Sequence, residues 1–301
     1  MHENEMRADA ALVAALIGQQ APQWAELAVT PLPAEVEGTD HVLFRVGPDL
    51  LARMPKIDWA VEQGAQEAAW LPVLAPHVPV ALGVPVFAGR PGHGYPWPWT
   101  IVRWIPGQTP PRLGLDDPGL ARQVAAFARA LHAVPAQGGP LCPPGSRGTA
   151  PRVQAERGRA AIDGLRGKHD GLDLDAVARA WEQVVATPDY AGEPVWLHGD
   201  LQPGNLIVAD GRLSGVIDFT PRRGDPAADL APAWWTFTGD ARTLYREELA
   251  DYGPEAWWRA RGWALLPSLT GIDYYRNTFP RMAEHGRRTV TAVLQDIERF
   301  G

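Results

Sequence analysis

The stretch WLHGDLQPGNLIVADGRLSGVIDF, residues 196–219, decides how the rest of the chain is read. Its second half explains itself by turn chemistry. Leu206-Ile207-Val208 and Leu213 to Ile217 are apolar strands, and Asp210-Gly211 between them is a favoured two-residue hairpin turn. A hairpin brings its outer ends together. Asn205 lies just before the first strand and Asp218 just after the second, so two oxygen-bearing side chains converge where a hard cation such as Mg²⁺ can sit. Asp200 stands on the loop entering the hairpin, free to orient a hydroxyl. A metal that neutralises phosphate charge, beside an aspartate that accepts a hydroxyl proton, is what phosphoryl transfer requires.

The spacing His198-x-Asp200-Leu201-x-x-x-Asn205 matches the kinase catalytic-loop pattern, with Gly199 where protein kinases carry arginine. Asp218-Phe219 stands where the kinase metal-binding Asp-Phe-Gly would, with Thr220 replacing the glycine. HGDLQPGN, followed by GVIDF and GDPAADLA in that order, resembles the aminoglycoside phosphotransferase family, whose members are kinase-like in fold. The resemblance implies Asp200 as catalytic base, His198 as a scaffold residue of the catalytic loop, and Asn205 and Asp218 as Mg²⁺ ligands. It also implies ATP as donor and a hydroxylated small molecule, an aminoglycoside-type antibiotic or related metabolite, as acceptor. Gln202 takes a position that is often histidine in that family. Asp225, ahead of Pro226, reads as a helix cap, and Asp229 as a buttress of the loop. Two readings compete with this one. His198 and Asp200 could be a metal-hydrolase pair, although no histidine cluster completes such a site. The chain could also be a catalytically silent nucleotide-binding scaffold, a role that gives no chemical reason to keep Asp200, Asn205 and Asp218 together.

Working outward, strand signals concentrate in the first third and helices in the rest. A helical pattern at 7–18 precedes strand-like pieces at 26–31, 41–46 and 50–54, the last stopped by Pro55. A helix over 58–70 opens near Asp58, and a Pro-rich connection leads to a strand near Trp99–Trp104 that ends at Pro106-Gly107. Helices follow at 118–134, 151–165 and 174–187, with several more across 226–300, and a Pro- and Gly-rich loop covers 135–150. The expected fold class is α+β, a protein-kinase-like two-lobe fold with a small mixed N-terminal lobe and a largely helical C-terminal lobe. Residues 1–106 would bind nucleotide, with a hinge near 101–107, and 107–301 would carry catalysis and the acceptor site.

The first lobe holds the less standard features. GTDHVLFRVG and LLARMPK resemble the family's nucleotide-binding lobe, but no full Gly-x-Gly-x-x-Gly is present, and Gly38 and Thr39 are the candidates for a phosphate-covering turn. Only two lysines occur, Lys56 and Lys168, and Arg53 stands where kinases carry the phosphate-contacting lysine. A guanidinium can clamp phosphate oxygens with two donors. By the same resemblance Glu67 on the following helix would pair with Arg53, with Glu62 as its rival. Trp104 and Ile105 fall where hinge backbone groups would meet adenine, by position alone. The tryptophans at 234–235 and 257–258, with Tyr274-Tyr275, read mainly as core, while Asp273, Glu247 and Glu248 are acids available to a cationic acceptor.

Composition sets the outer bounds. The 301 residues are 46% hydrophobic and 21% charged, a balance for a packed globule rather than a disordered chain. No apolar run is long enough to span a membrane, and the start lacks the features of a signal peptide. Net charge of −7 disfavours nucleic acid as a partner. A single cysteine, Cys142, suits a reducing compartment, so the expected location is cytoplasmic. The donor nucleotide (ATP or GTP), the individual acceptor and the oligomeric state are left open by the sequence.

Overall fold

The structure, a computed structural model, describes residues 8–33, 40–57, 59–111, 114–168 and 171–300. Gly38, Thr39 and Asp58 lie outside the described residues. The chain divides into two compact units, residues 1–106 with 215–221, and residues 107–214 with 222–301.

In the first unit, helix α1 (Ala10–Gln20) is opened by Asp9, whose carboxylate accepts from the Leu12 N–H at 2.8 Å. There follow β1 (Val29–Pro31), β2 (His41–Val46), β3 (Leu50–Pro55), α2 (Trp59–Leu74), β4 (Ala81–Leu82), β5 (Pro85–Gly89) and β6 (Trp99–Arg103). The sheet runs β1-β2-β3-β6-β5, with neighbours antiparallel. Period-two alternation sorts β3 cleanly. Leu50, Ala52 and Met54 are buried with Val13, Leu16 and Ile17 of α1, whereas Leu51 and Arg53 take the opposite face. The Pro-rich connection expected over 71–98 proves to contain β4 and β5. Pro85 is tolerated because β5 lies at the sheet edge, where no inward N–H is needed, and the strand carries an irregularity between Pro85 and Phe87. β4 pairs in parallel with Gly215 and Val216.

The second unit is largely helical: α3 (Pro118–His132), α4 (Ala155–Leu165), α5 (Leu174–Ala186), α6 (Pro232–Trp235), α7 (Gly239–Glu248), α8 (Gly253–Tyr274) and α9 (Pro280–Phe300). Short strands interrupt it. β7 (Val195–Leu197) pairs antiparallel with β10 (Arg222–Gly224). β8 (Leu206–Ala209) and β9 (Arg212–Val216) flank the turn at Asp210 and Gly211, whose φ values of +51° and +71° are those the hairpin turn demands. α8 is buried on most of its circumference, as a central helix must be, and packs along α9. Trp234, Trp235 and Trp257 are buried, as expected, but Tyr274 is 75% exposed. The Tyr274-Tyr275 pair therefore stacks edge-on at the end of α8 instead of joining the core.

Two glycines of α4 separate packing from propensity. A Cβ at Gly158 would lie 2.0 Å from the ring of the fully buried Trp181, whereas one at Gly164 would meet nothing within 4 Å. Gly158→Ala is expected to lower stability by about 1–3 kcal/mol through overpacking. Gly164→Ala, gaining only helix propensity, should be neutral or raise it by up to about 1 kcal/mol. Chemical denaturation of the two variants reads the contrast directly.

Candidate active site

Asp200 sits on a loop whose backbone is fixed from below. Asp229, fully buried, accepts from the N–H groups of His198 at 2.9 Å and Gly199 at 2.6 Å. His132 Nε2 contacts the same carboxylate at 3.1 Å, and its Nδ1 lies 2.6 Å from the Tyr252 hydroxyl. Burial pushes the Tyr252 phenol up to about 12, and because an ionised carboxylate can only accept, it is Nε2–H that donates to Asp229. Burial opposes charge on Asp229, but the His132 hydrogen bond and the facing imidazoles hold its carboxyl below the usual carboxylate range. Asp225 caps the next turn at the Ala227 N–H and forms a buried ion pair with Arg259 at 2.6 Å.

His198 is buried, and its Nδ1 accepts from the Asp200 N–H at 3.2 Å, which makes it a support of the loop. The Leu201 carbonyl accepts from the Thr236 hydroxyl at 2.7 Å, and the turn closes with the Asn205 N–H donating to the Gln202 carbonyl at 2.9 Å. The Asp200 carboxylate then receives three side chains. Gln202 Nε2 and Asn205 Nδ2 donate to Oδ2 at 3.0 and 3.2 Å, and the Arg147 guanidinium donates to Oδ1. Asn205 also donates to the Asp200 carbonyl at 2.8 Å. With its amide nitrogen committed to Asp200, the group Asn205 has to offer a cation is its carbonyl oxygen, a hard donor suited to Mg²⁺.

The first unit gathers the other predicted residues. Arg53 and Glu67 form a two-pronged buried ion pair, Nη2 to Oε1 at 3.1 Å together with Nη1 to Oε2. Burial penalises the Arg53 charge, yet Glu67 raises its pKa on balance and keeps it charged. Glu62, the rival, is an exposed residue that accepts from Gln66. Gln63 bridges Glu67 Oε1 at 3.0 Å and Asp218 Oδ1 at 3.1 Å, so a hydrogen-bonded chain runs from Arg53 to Asp218. Asp218 is exposed and takes φ +57°, a left-handed conformation that aspartate tolerates better than most residues. The Trp104 N–H donates to the Asp49 carbonyl at 2.8 Å, and the Arg45 guanidinium lies 3.8 Å from the centre of the Trp104 ring. Ile105 is half-buried beside Gly215.

Three participants escaped the sequence reading: Arg147, Gln63 and His132. Arg147 lies in the Pro- and Gly-rich loop far upstream of Asp200, where no periodicity marks it. Gln63 is a neutral residue one turn before Glu67, a spacing that could have suggested it. His132 closes α3 and looks there like an ordinary C-terminal basic residue.

Comparison with known proteins shows the family. Residues 32–264 match the phosphotransferase enzyme family, and the chain belongs to it. It is 35% identical over 172 residues to a streptomycin 6-kinase of Streptomyces griseus, covering 51% of this chain and 50% of the relative. It is 28% identical over 214 residues to an aminoglycoside 3'-phosphotransferase of Escherichia coli, covering 69% of this chain and 75% of that one. The chain thus spans half the length of the streptomycin kinase. Among solved structures, the GDP complex of wild-type aminoglycoside 2'-phosphotransferase-IIIa aligns with a TM-score of 0.68 at 18% identity, covering 96% of this chain and all 100% of that one. The macrolide 2'-phosphotransferase of Brachybacterium faecium, an apoenzyme, aligns at 0.61 and 21% identity, covering 95% and 97%. The fold is therefore the kinase-like α+β fold expected. No helix among the described residues is long and apolar enough to cross a membrane.

His41, opposite Pro55 at the end of β3, makes a pH test available. Burial, then the charges of Arg53 and Lys56, lower its pKa from 6.5 to about 3. The unfolded chain therefore takes up a proton below about pH 6.5 that the folded chain refuses until about pH 3, and stability falls as pH drops through that window. His41→Leu should gain about 2 kcal/mol relative to the parent between about pH 7 and about pH 5, read as a narrowing or reversal of any melting-temperature deficit.

Proposed function

We propose that this protein is a small-molecule kinase that transfers the γ-phosphoryl group of ATP to a hydroxyl of an aminoglycoside-type antibiotic or a related metabolite. The observation that carries the reading is the Asp200 carboxylate, partly exposed and aimed by Gln202 and Asn205 from a loop that Asp229 holds rigid. The names of the curated relatives support the acceptor class. Asp200 accepts the acceptor's hydroxyl proton as its oxygen attacks the γ-phosphorus, and the nucleoside diphosphate leaves. Arg53, held by Glu67, contacts the nucleotide phosphates in place of the usual lysine. The backbone of Trp104 and Ile105 meets the base. In this reading residues 1–106 serve the nucleotide, residues 107–301 serve catalysis and the acceptor, and the enzyme works in the cytoplasm.

Asn205 and Asp218 are the residues that would hold Mg²⁺, through one amide and one carboxylate oxygen. Bound there, the ion neutralises phosphate charge. Asp218 is restrained by Gln63, which leaves its second carboxylate oxygen for the metal.

Asp200→Asn is expected to keep the fold and nucleotide affinity while lowering turnover by roughly 10²–10⁴, the contribution of a positioned general base. Transfer measured against a panel of aminoglycosides, macrolides, amino alcohols and sugars decides it. Near-parental turnover removes Asp200 as base. Separately, Asp218→Ala should abolish the tightening of ATP binding by magnesium in calorimetry. If magnesium tightens binding equally in the variant, the metal is held elsewhere.

A further inference from the structure

The hydrogen bond from Arg147 to Asp200 demands its own explanation, because the loop does not need it. The Pro143–Thr149 turn is already fixed. Ser146 N–H and Oγ donate to the Pro143 carbonyl at 3.0 and 2.7 Å, and Thr149 N–H donates to the Ser146 carbonyl at 3.1 Å. From outside the turn, Gln154 donates to the Gly145 carbonyl at 2.6 Å, Asp225 N–H to the Gly148 carbonyl at 2.8 Å, and Trp263 to the Thr149 carbonyl at 3.1 Å. An ordered turn thus presents the Arg147 guanidinium, which lies 5.6 Å from the centre of the buried Trp235 ring.

The distribution of donors on Asp200 gives the bond its meaning. Gln202 and Asn205, both from Asp200's own loop, share Oδ2, and Arg147 takes Oδ1. A hydroxyl that is to give its proton to Asp200 must reach a carboxylate oxygen, and Oδ1 is the one held by a side chain from elsewhere in the chain. Arg147 and Asp200 are 37% and 30% exposed, so water screens their attraction and the pair can open. Each carboxylate oxygen thus already carries a donor, and the one on Oδ1 comes from outside the loop.

We infer that Arg147 is a positioning residue that guards the base: it occupies Asp200 Oδ1 until an acceptor displaces it, and so keeps water from serving as phosphoryl acceptor. The inference rests on the reading of Asp200 as base. The suppressed side reaction is simple hydrolysis. Water oxygen bonds to the γ-phosphorus, the bond to the β-bridging oxygen breaks, the water proton passes to Asp200, and ADP leaves with the electron pair as inorganic phosphate forms.

The test needs no acceptor. Phosphate release from MgATP and MgGTP is measured for the parent, Arg147→Gln, Arg147→Lys, and Arg147→Gln combined with Asp200→Asn, with thermal melts confirming that each is folded. Arg147→Gln should raise hydrolysis at least threefold, Arg147→Lys by less because it keeps a cation near Oδ1, and the double variant should lose the gain. A rise that survives Asp200→Asn overturns the proposal. So does hydrolysis within twofold of the parent, or a fall, which would make Arg147 a contact to the transferred phosphoryl group. If Asp200→Asn alone retains transfer to an acceptor in the panel assay described above, the base reading fails and takes this one with it. If Asp200→Asn is inactive and Arg147→Gln leaves hydrolysis unchanged, only the guard is lost.

Discussion

The geometry of the loop that carries Asp200 depends on one buried carboxylate. Asp229 has no solvent to fall back on, and it spends its two oxygens on the N–H groups of His198 and Gly199 and on His132. A loop carrying a partly exposed acid cannot be held by apolar packing, because its backbone donors must be satisfied wherever they point. Asp229 satisfies two of them at once, and its charge makes those bonds stronger than neutral ones. Behind it, the Tyr252 hydroxyl lies 2.6 Å from His132 Nδ1, and the Tyr245 hydroxyl donates to the Asp229 carbonyl at 2.6 Å. The partly exposed Asp200 is thus joined through the backbone of His198 and Gly199 to a buried network.

A similar division of labour runs through the first unit. Glu67, 1% exposed, is a costly residue to bury alone, and Arg53 neutralises it with a two-pronged contact. That contact orients the guanidinium, while Gln63 carries the influence of Glu67 onward to Asp218. Arginine suits this arrangement better than lysine would. Its planar fork can satisfy a carboxylate with two nitrogens and keep further N–H groups for another anion.

Legibility in the sequence followed the range of the interactions involved. The Asp210-Gly211 hairpin, the alternation of β3 and the amphipathic α3 and α5 are set by neighbours, so they could be read from spacing. Strands β4 and β5 could not, since two to five residues punctuated by proline resemble a loop until a sheet edge is there to receive them. The motif residues His198, Asp200, Asn205 and Asp218 announced themselves through order and chemistry. Arg147 did not, because its partner lies 53 positions away and its surroundings carry no pattern. Tyr274-Tyr275 was misjudged for a related reason: aromatic character predicts burial on average, but a helix terminus can leave such a pair in water.

The seven-residue segment 215–221 belongs with residues 1–106 although 108 residues of the other unit intervene. This has a consequence for biosynthesis. A nascent chain leaves the ribosome from its N-terminus at roughly 5–20 residues per second, so the first unit waits on the order of ten seconds for the strand partner of β4 and for Asp218. Until then Ala81 and Leu82 lack their parallel neighbours and Gln63 lacks one of its two acceptors. The first unit is therefore completed only after the loop bearing Asp200 has been synthesised, which ties the maturation of one unit to the arrival of the other.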